Sequence, residues 1–320
     1  MDSVGSDVHN LLIVVRTVHF AATAILAGSL IFRTALAEPI LRSSEAATVV
    51  RLQTLRIAWA NLAIAAVSGV TWVLLQAASM SGLPLGDAMT ADVVSTVLNE
   101  TQFGLVSEIR FALAIILAAC LVYDRIRRVR WLALASALGL IAAIAWTGHA
   151  GSTVGEMGFL HLTADVLHLI SSAAWIGGLV SLALLLTAAR RYEADAWASV
   201  ALGTTQRFST LGLISVGFIL ATGIVNAWIL VGSLHGLTVT EYGRLLMLKV
   251  TLFAAMLMMA AANRFWLTPR LALPSGSEPQ LKALRQLTRN SVIEIVLGLM
   301  IFGIVGMLGM LHPAIHFENL

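Results

Sequence analysis

The stretch that decides the fold runs from Trp131 to Leu186: WLALASALGLIAAIAWTGHAGSTVGEMGFLHLTADVLHLISSAAWIGGLVSLALLL. It holds two apolar runs, 131–148 and 159–188, around a short loop containing Gly151, Gly155 and Gly158. A helix needs about 20 apolar residues to cross the roughly 30 Å hydrocarbon core of a bilayer. Lipid offers no hydrogen-bond partners, so a segment at that depth must satisfy its own backbone as a helix. The stretch therefore predicts an antiparallel pair of membrane-spanning helices.

The same pattern recurs outward in both directions. Apolar runs fall at about 11–33, 57–80, 104–123, 131–148, 159–188, 208–232, 243–264 and 290–311. The chain is 58% hydrophobic and 12% charged, a balance foreign to soluble domains. The expected fold is all-α, a polytopic membrane protein of eight transmembrane helices forming one membrane domain over residues 1–320. Met1 to Asn10 carries Asp2 and Asp7 and no Lys or Arg, and the run after it is too long for a signal core. The first helix is expected to stay in the mature protein, and no segment is left over for a soluble domain.

Basic residues set the expected orientation. Arg33, Arg42, Arg51 and Arg56 follow the first run, and Arg125, Arg127, Arg128 and Arg130 follow the third. Arg190, Arg191 and Arg207 follow the fifth, and Arg264, Arg270, Lys282, Arg285 and Arg289 follow the seventh. An eight-helix arrangement puts all of these, sixteen of the 20 basic residues, on one side. That side is expected to be cytoplasmic, with both termini periplasmic. The positive balance thus reports topology, and no nucleic-acid partner is expected. All eight histidines then fall in the outer half: His9, His19, His149, His161, His168, His235, His312 and His316. The single cysteine, Cys120, allows no internal disulfide and no paired-thiol metal motif.

A weak internal repeat runs through the chain. His19 precedes Gly28 and Leu30 as His168 precedes Gly177 and Leu179. Arg56, Ser68-Gly69 and Trp72 echo Arg207, Thr222-Gly223 and Trp228. Thr101-Gln-Phe-Gly104 with Arg110 echoes Thr240-Glu-Tyr-Gly243 with Lys249. The halves are about 9–130 and about 159–312, with helix four, 131–148, completing the first. Four helices per half keep orientation, so parallel repeats about an axis along the membrane normal are expected. His19 and His168 would be mates at equal depth.

Histidine is costly in hydrocarbon and is a common metal ligand. His161, Asp165, His168 and Trp175 share one helical face. The loop 150–158 can bring His149 back over His161. The candidate metal ligands are His19, His149, His161, Asp165 and His168, with Met157, Glu108 and His312 as weaker members. Asp165 is either a ligand or a carboxylate orienting an imidazole. Imidazole with thioether suits copper best, as Cu+ or Cu2+, and Met80, Met89, Met157, Met247, Met307 and Met310 lie in the outer half. Met256, Met258, Met259 and Met300 lie deeper, where they fill core gaps or step a soft ion inward. Arg110, Asn226 and Lys249 could line the same cavity, and Glu294 is expected to pair with Arg264 or Arg289. The polar segment Leu83–Gln102 is expected on the membrane surface as a short helix capped by Thr90. Ser171 to Gly178 supplies small residues for close packing.

These residues resemble the copper resistance protein D family of bacterial inner-membrane proteins. The resemblance rests on His19-Phe20, Thr101 to Gly104, Gly148-His149-Ala150, His161 to His168 with Trp175-Ile-Gly-Gly-Leu179, Arg207-Phe-Ser209, Gly223 with Asn226, Tyr242-Gly243 to Lys249, Asn263-Arg264-Phe265 and Pro269-Arg270. It implies an eight-helix copper-handling protein that moves periplasmic copper inward. It also implies a separate small periplasmic partner of the CopC type, since no fused domain is expected here. Asp165 stands where some relatives place histidine. A copper-binding protein accepting the ion at its periplasmic face, with membrane lipid around it, is thus the leading expectation. Its site would be shared between the halves. The alternatives are a haem b electron-transfer protein with His19 and His168 as axial ligands, or a non-transporting copper-binding subunit. No enzyme is expected: no nucleophile sits beside a base, and no nucleotide-binding motif occurs.

Overall fold

The computed structural model describes residues 3–41, 44–192 and 195–317. Arg42 and the His316 side chain lie outside the described set. Among the described residues every regular element is helical. Eight helices among the described residues are long and apolar enough to cross a membrane. They are α1 (Ser3–Ile31), α2 (Ser44–Ser81), α3 (Gln102–Val122), α4 (Arg127–Ala142), α5 (Gly155–Tyr192), α6 (Asp195–Val231), α7 (Glu241–Ala262) and α8 (Glu278–Leu308).

Several helices outrun the apolar stretches that mark them. The 38 residues of α2 extend about 57 Å at 1.5 Å per residue, against a hydrocarbon core of about 30 Å. Apolarity marks only the part in lipid, whereas the helix continues through Glu45, Arg51 and Arg56. The same holds at the starts of α6 and α8.

α1 and α5 form the centre of the bundle. Of their most apolar windows, 61% and 72% are buried, against 6% for α7. They meet at glycines: a Cβ on Gly28 would stand 2.6 Å from Gly177 Cα, and one on Gly177 would stand 2.5 Å from the Ala24 carbonyl. This is the small-residue contact that lets helix backbones approach closely in lipid. α2 packs on α1 and α6 on α5, while α4 and α8 each touch both central helices. The many exposed apolar side chains, such as Val67, Phe111, Ile224 and Trp228, face outward, where lipid would cover them.

At the arginine-rich end, charge is partly structural. Arg33 Nη1 donates to Asp124 at 2.5 Å and Arg51 Nε donates to its other oxygen at 2.7 Å. Arg33 and Arg130 both reach Glu38 Oε1 at 3.0 Å. Arg33, Arg51 and Arg130, counted above as topological charges, thus also tie the segment after α1 and the helix α2 to Asp124 in the α3–α4 turn, and α4 to Glu38. Glu294 departs from expectation. It accepts from Asn263 Nδ2 at 2.7 Å, while Arg264 donates to Ser209 Oγ at 2.6 Å. After α7 the chain widens into a π-helical stretch at Asn263–Leu267 and then tightens into a 3-10 turn at Thr268–Ala272.

The segment before α3 is helical at Leu85–Ala88 and Ala91–Glu100. Thr90 takes the N-cap position, but its hydroxyl donates to the Asp87 carbonyl instead of capping. Thr101 is the working cap, accepting from Gly104 N at 3.0 Å, as Thr240 accepts from Gly243 N at 2.9 Å.

Two outcomes are expected. Gly177→Val should lower the thermal denaturation midpoint in detergent, at a cost of about 1–3 kcal/mol or more, because backbone lies on every side of the new methyls. Gly212→Ala, with open space around it, should leave the midpoint unchanged. Asp124→Ala leaves Arg33, 5% exposed, without its main partner and should cost about 3–5 kcal/mol by the same assay.

Candidate metal-binding histidines

His19 lies on α1 facing α2, 5% exposed. Its Nδ1 stands 3.0 Å from Ser68 Oγ, and Ser68 Oγ stands 2.6 Å from the Ile64 carbonyl. A carbonyl oxygen only accepts, so the serine proton lies on the Ile64 bond. Nδ1 must then carry a proton and donate to Ser68. That leaves Nε2 with a bare lone pair, and it has no hydrogen-bond partner.

His168 repeats this on α5. Its Nδ1 stands 2.9 Å from Thr222 Oγ1, which donates to the Phe218 carbonyl at 2.5 Å. A glycine follows each hydroxyl: a Cβ on Gly69 would press His19 Cε1 at 3.3 Å, while one on Gly223 would lie in ordinary contact with His168 Cε1 at 3.7 Å. His161, 1% exposed, has its Nδ1 2.8 Å from Thr153 Oγ1, which reaches the His149 carbonyl at 3.0 Å. Three imidazoles are thus each held through Nδ1 by a hydroxyl anchored on a backbone carbonyl. This is the geometry that fixes tautomer and ring direction in metal-ligating histidines.

The other candidates behave differently. His149 Nε2 donates to the Leu308 carbonyl at 3.2 Å, and its ring lies 6.1 Å from that of Tyr242. The loop 150–158 does fold back as expected, with Thr153 as the link between His149 and His161. Asp165 orients neither histidine. It accepts from Asn226 Nδ2 at 3.3 Å, with Lys249 and Tyr242 within electrostatic reach. Hydroxyls hold the orienting positions that a carboxylate was expected to fill. Met157 and His312 are exposed. Glu108 is exposed too, at the edge of the cavity that holds His19.

The expected shared centre is not assembled: among the described residues, no three His, Cys, Asp or Glu side chains converge as a metal cage. His19 bonds within the first half and His168 within the second, because each ring faces the second helix of its own half. The deeper methionines line no common path, since Met256 is buried while Met258 and Met300 are exposed on the outer surface.

A cavity of about 430 Å³ opens beside His149, lined also by Arg16, Gln76, Met80, Trp146 and Met310. Arg16 Nη1 donates to the Gly309 carbonyl at 3.1 Å and to Met310 Sδ at 3.4 Å. Sequence reasoning named Ser68 and Thr222 only as repeat markers and Tyr242 only within the resemblance, and it missed Thr153 and Arg16. The signal available for the first two was a hydroxyl-glycine pair on the helix following each deep histidine.

These features define a polytopic helical membrane protein with hydroxyl-tethered imidazoles that are buried or half-buried. Residues 6–159 match the copper resistance protein D-like N-terminal domain, and residues 202–308 match copper resistance protein D. The chain is 32% identical over 249 residues to copper resistance protein D of Pseudomonas syringae pv. tomato, covering 76% of this chain and 79% of that one. It is 27% identical over 303 residues to the inner membrane protein YebZ of Escherichia coli K12, covering 94% and 98%. It is 32% identical over 238 residues to the copper transport protein CutJ of Bacillus subtilis 168, covering 72% of this chain and 42% of that one. No solved structure matches. The chain belongs to the copper resistance protein D family.

The tautomers are directly measurable. Nitrogen-15 spectra of histidine-labelled protein should show His19 and His168 protonated at Nδ1. Ser68→Ala and Thr222→Ala should each convert their own histidine to a mixture of tautomers. Unchanged signals in both variants would remove the hydroxyl from its tethering role.

Proposed function

We propose that this chain is a copper-binding membrane protein, not an enzyme, that accepts copper at the periplasmic face and moves it inward. The observation that carries this reading is the bare Nε2 on His19, held by the Ser68 tether. An imidazole with its lone pair presented and its other nitrogen anchored is suited to copper, zinc, iron or nickel. The names of two relatives, a copper resistance protein and a copper transport protein, select copper among these. Met80 and Met310 beside His149 add thioether sulfur, which suits the monovalent ion at an entry point.

The order of sites follows from their depth. The cavity beside His149 is the entry, His161 lies beneath it, and His168 and His19 lie deeper in separate halves. The two halves are read as parallel repeats, and the paired tethers Ser68 and Thr222 and paired caps Thr101 and Thr240 support that. Separate histidines suit a cargo that must leave again better than one tight cage would. Asp165, near Lys249 and His168, would tune the charge of the second-half site.

Orientation rests on the arginine-rich loops, which put both termini in the periplasm. The name of the Escherichia coli relative supports a bacterial inner-membrane location. A separate periplasmic copper-binding protein of the CopC type would deliver the ion to the His149 face.

Equilibrium binding of Cu+ and Cu2+ to purified protein tests the ligands. His19→Ala and His168→Ala should each lower copper stoichiometry, and Thr222→Ala should weaken the second-half site about 10- to 100-fold. Reconstituted vesicles should accumulate copper with wild type and not with the double histidine variant. Unaltered stoichiometry and affinity in His19→Ala/His168→Ala would sink the assignment, and binding without accumulation would leave a non-transporting copper-binding subunit.

A further inference from the structure

A second cavity, about 740 Å³, lies between α2 and α3 and reaches back to His19 on α1. Its outer wall includes Val70, Phe111 and Ile115, all more than half exposed on the outer surface. The cavity therefore opens sideways to lipid, and the surface helix Ala91–Glu100 covers its top through Val94 and Leu98. Arg110 lies nine residues past Thr101, about 13 Å along α3 from its start.

The walls are apolar and the inner end is not. Arg110 is 7% exposed, and its Nε and Nη2 have no hydrogen-bond partner. Trp72 is 1% exposed, and its Nε1 has none either. None of the ion pairs among the described residues includes Arg110. Its guanidinium lies 5.3 Å from the Trp72 ring, a cation–π contact that leaves the Nε and Nη2 donors unspent. Unsatisfied donors at this depth are costly, several times more so when charged. The inner end thus offers donors in search of acceptors.

The corresponding place in the second half is furnished differently. Asp165 stands three residues before His168 as Arg16 stands three before His19. Asn226 stands four after Thr222 as Trp72 stands four after Ser68. The second half carries its own carboxylate and amide beside Lys249. In the first half Glu108 stays exposed at the cavity edge and forms no ion pair with Arg110, so the acceptors for Arg110 Nε and Nη2 are left to a ligand. Glu108 borders the same cavity and would repel an acidic head group. A neutral head with carbonyl oxygens fits. Trp72 and Phe103, edge to face at 5.4 Å, offer aromatic surface for a flat ring.

We propose that this cleft binds a lipid-soluble quinone, with Arg110 and Trp72 donating to its carbonyls and its apolar tail leaving between α2 and α3. The proposal goes beyond copper handling, and its test is run on metal-free protein, so it fails or stands separately from the copper reading. Decylubiquinone is titrated into the full chain in phosphatidylcholine nanodiscs, and bound quinone is counted after separation. Saturable binding at one site is expected. Arg110→Gln should weaken it about 10-fold or more, the loss expected for hydrogen bonds from a charged donor. Ala66→Trp fills the exposed mouth without touching the polar end and should abolish binding even if the Arg110 variant misfolds. Ile224→Trp, on the outer surface of α6, should bind as wild type does. Absence of saturable binding to wild type, or undiminished binding to Ala66→Trp, overturns the proposal. So does displacement of the quinone by oleate or phosphatidylglycerol at lower concentration, which would make an acidic amphiphile the occupant.

Discussion

The bundle depends on one contact, the backbone-to-backbone crossing of α1 and α5 at Gly28 and Gly177. Lipid gives no hydrophobic drive for helix association, so the helices are held by close packing. Any side chain at either glycine would strike Ala24, Ala173 or the facing glycine. The crossing makes α1 and α5 the buried centre and leaves α2 and α6 as flanks. From this follows the placing of both deep histidines, since each faces a flank and neither faces the seam. Gly298 against Ile176 and Gly306 against Thr17 extend the same close packing to α8.

The polar groups follow a second constraint, that hydrocarbon tolerates only partnered ones. Ser68, Thr222 and Thr153 meet it by linking an imidazole to a backbone carbonyl, so each hydroxyl spends its one proton locally. On His19 the remaining nitrogen has no hydrogen-bond partner. Arg110 and Trp72 break the constraint and Asn226 meets it on one side only. Arg110 and Trp72 stand out because their unspent donors face a cavity, and buried unpartnered groups of this kind call for an explanation. The His19 and His168 sites share their tether geometry but differ in charge, with Arg16 three residues before His19 and Asp165 three before His168.

Much of the architecture was legible without coordinates. Apolar runs gave eight helices because length and polarity alone decide whether a segment can live in lipid. Thr101 and Thr240 were visible as helix starts, and the loop after Gly148 as a fold-back. What was not legible was the far end of each side chain. Helical periodicity puts His161, Asp165 and His168 on one face, yet Asp165 turns to Asn226 while both histidines turn to hydroxyls on other segments. Glu294 was matched to an arginine by charge and found an amide, because the π-helical stretch after α7 sets Asn263 against Glu294 and Arg264 against Ser209 on α6.

The sequence by itself determined the membrane class, the helix count, the family and the residue types available for metal. These rest on hydropathy, charge and local spacing, which act within a few turns of one helix. Only the tertiary structure decided that the histidines stand apart, that hydroxyls and not Asp165 hold them, and that Arg110 is left without an acceptor. Those outcomes depend on which helix lies against which, and that is set by the glycine crossing of α1 and α5, between residues 149 positions apart in the chain.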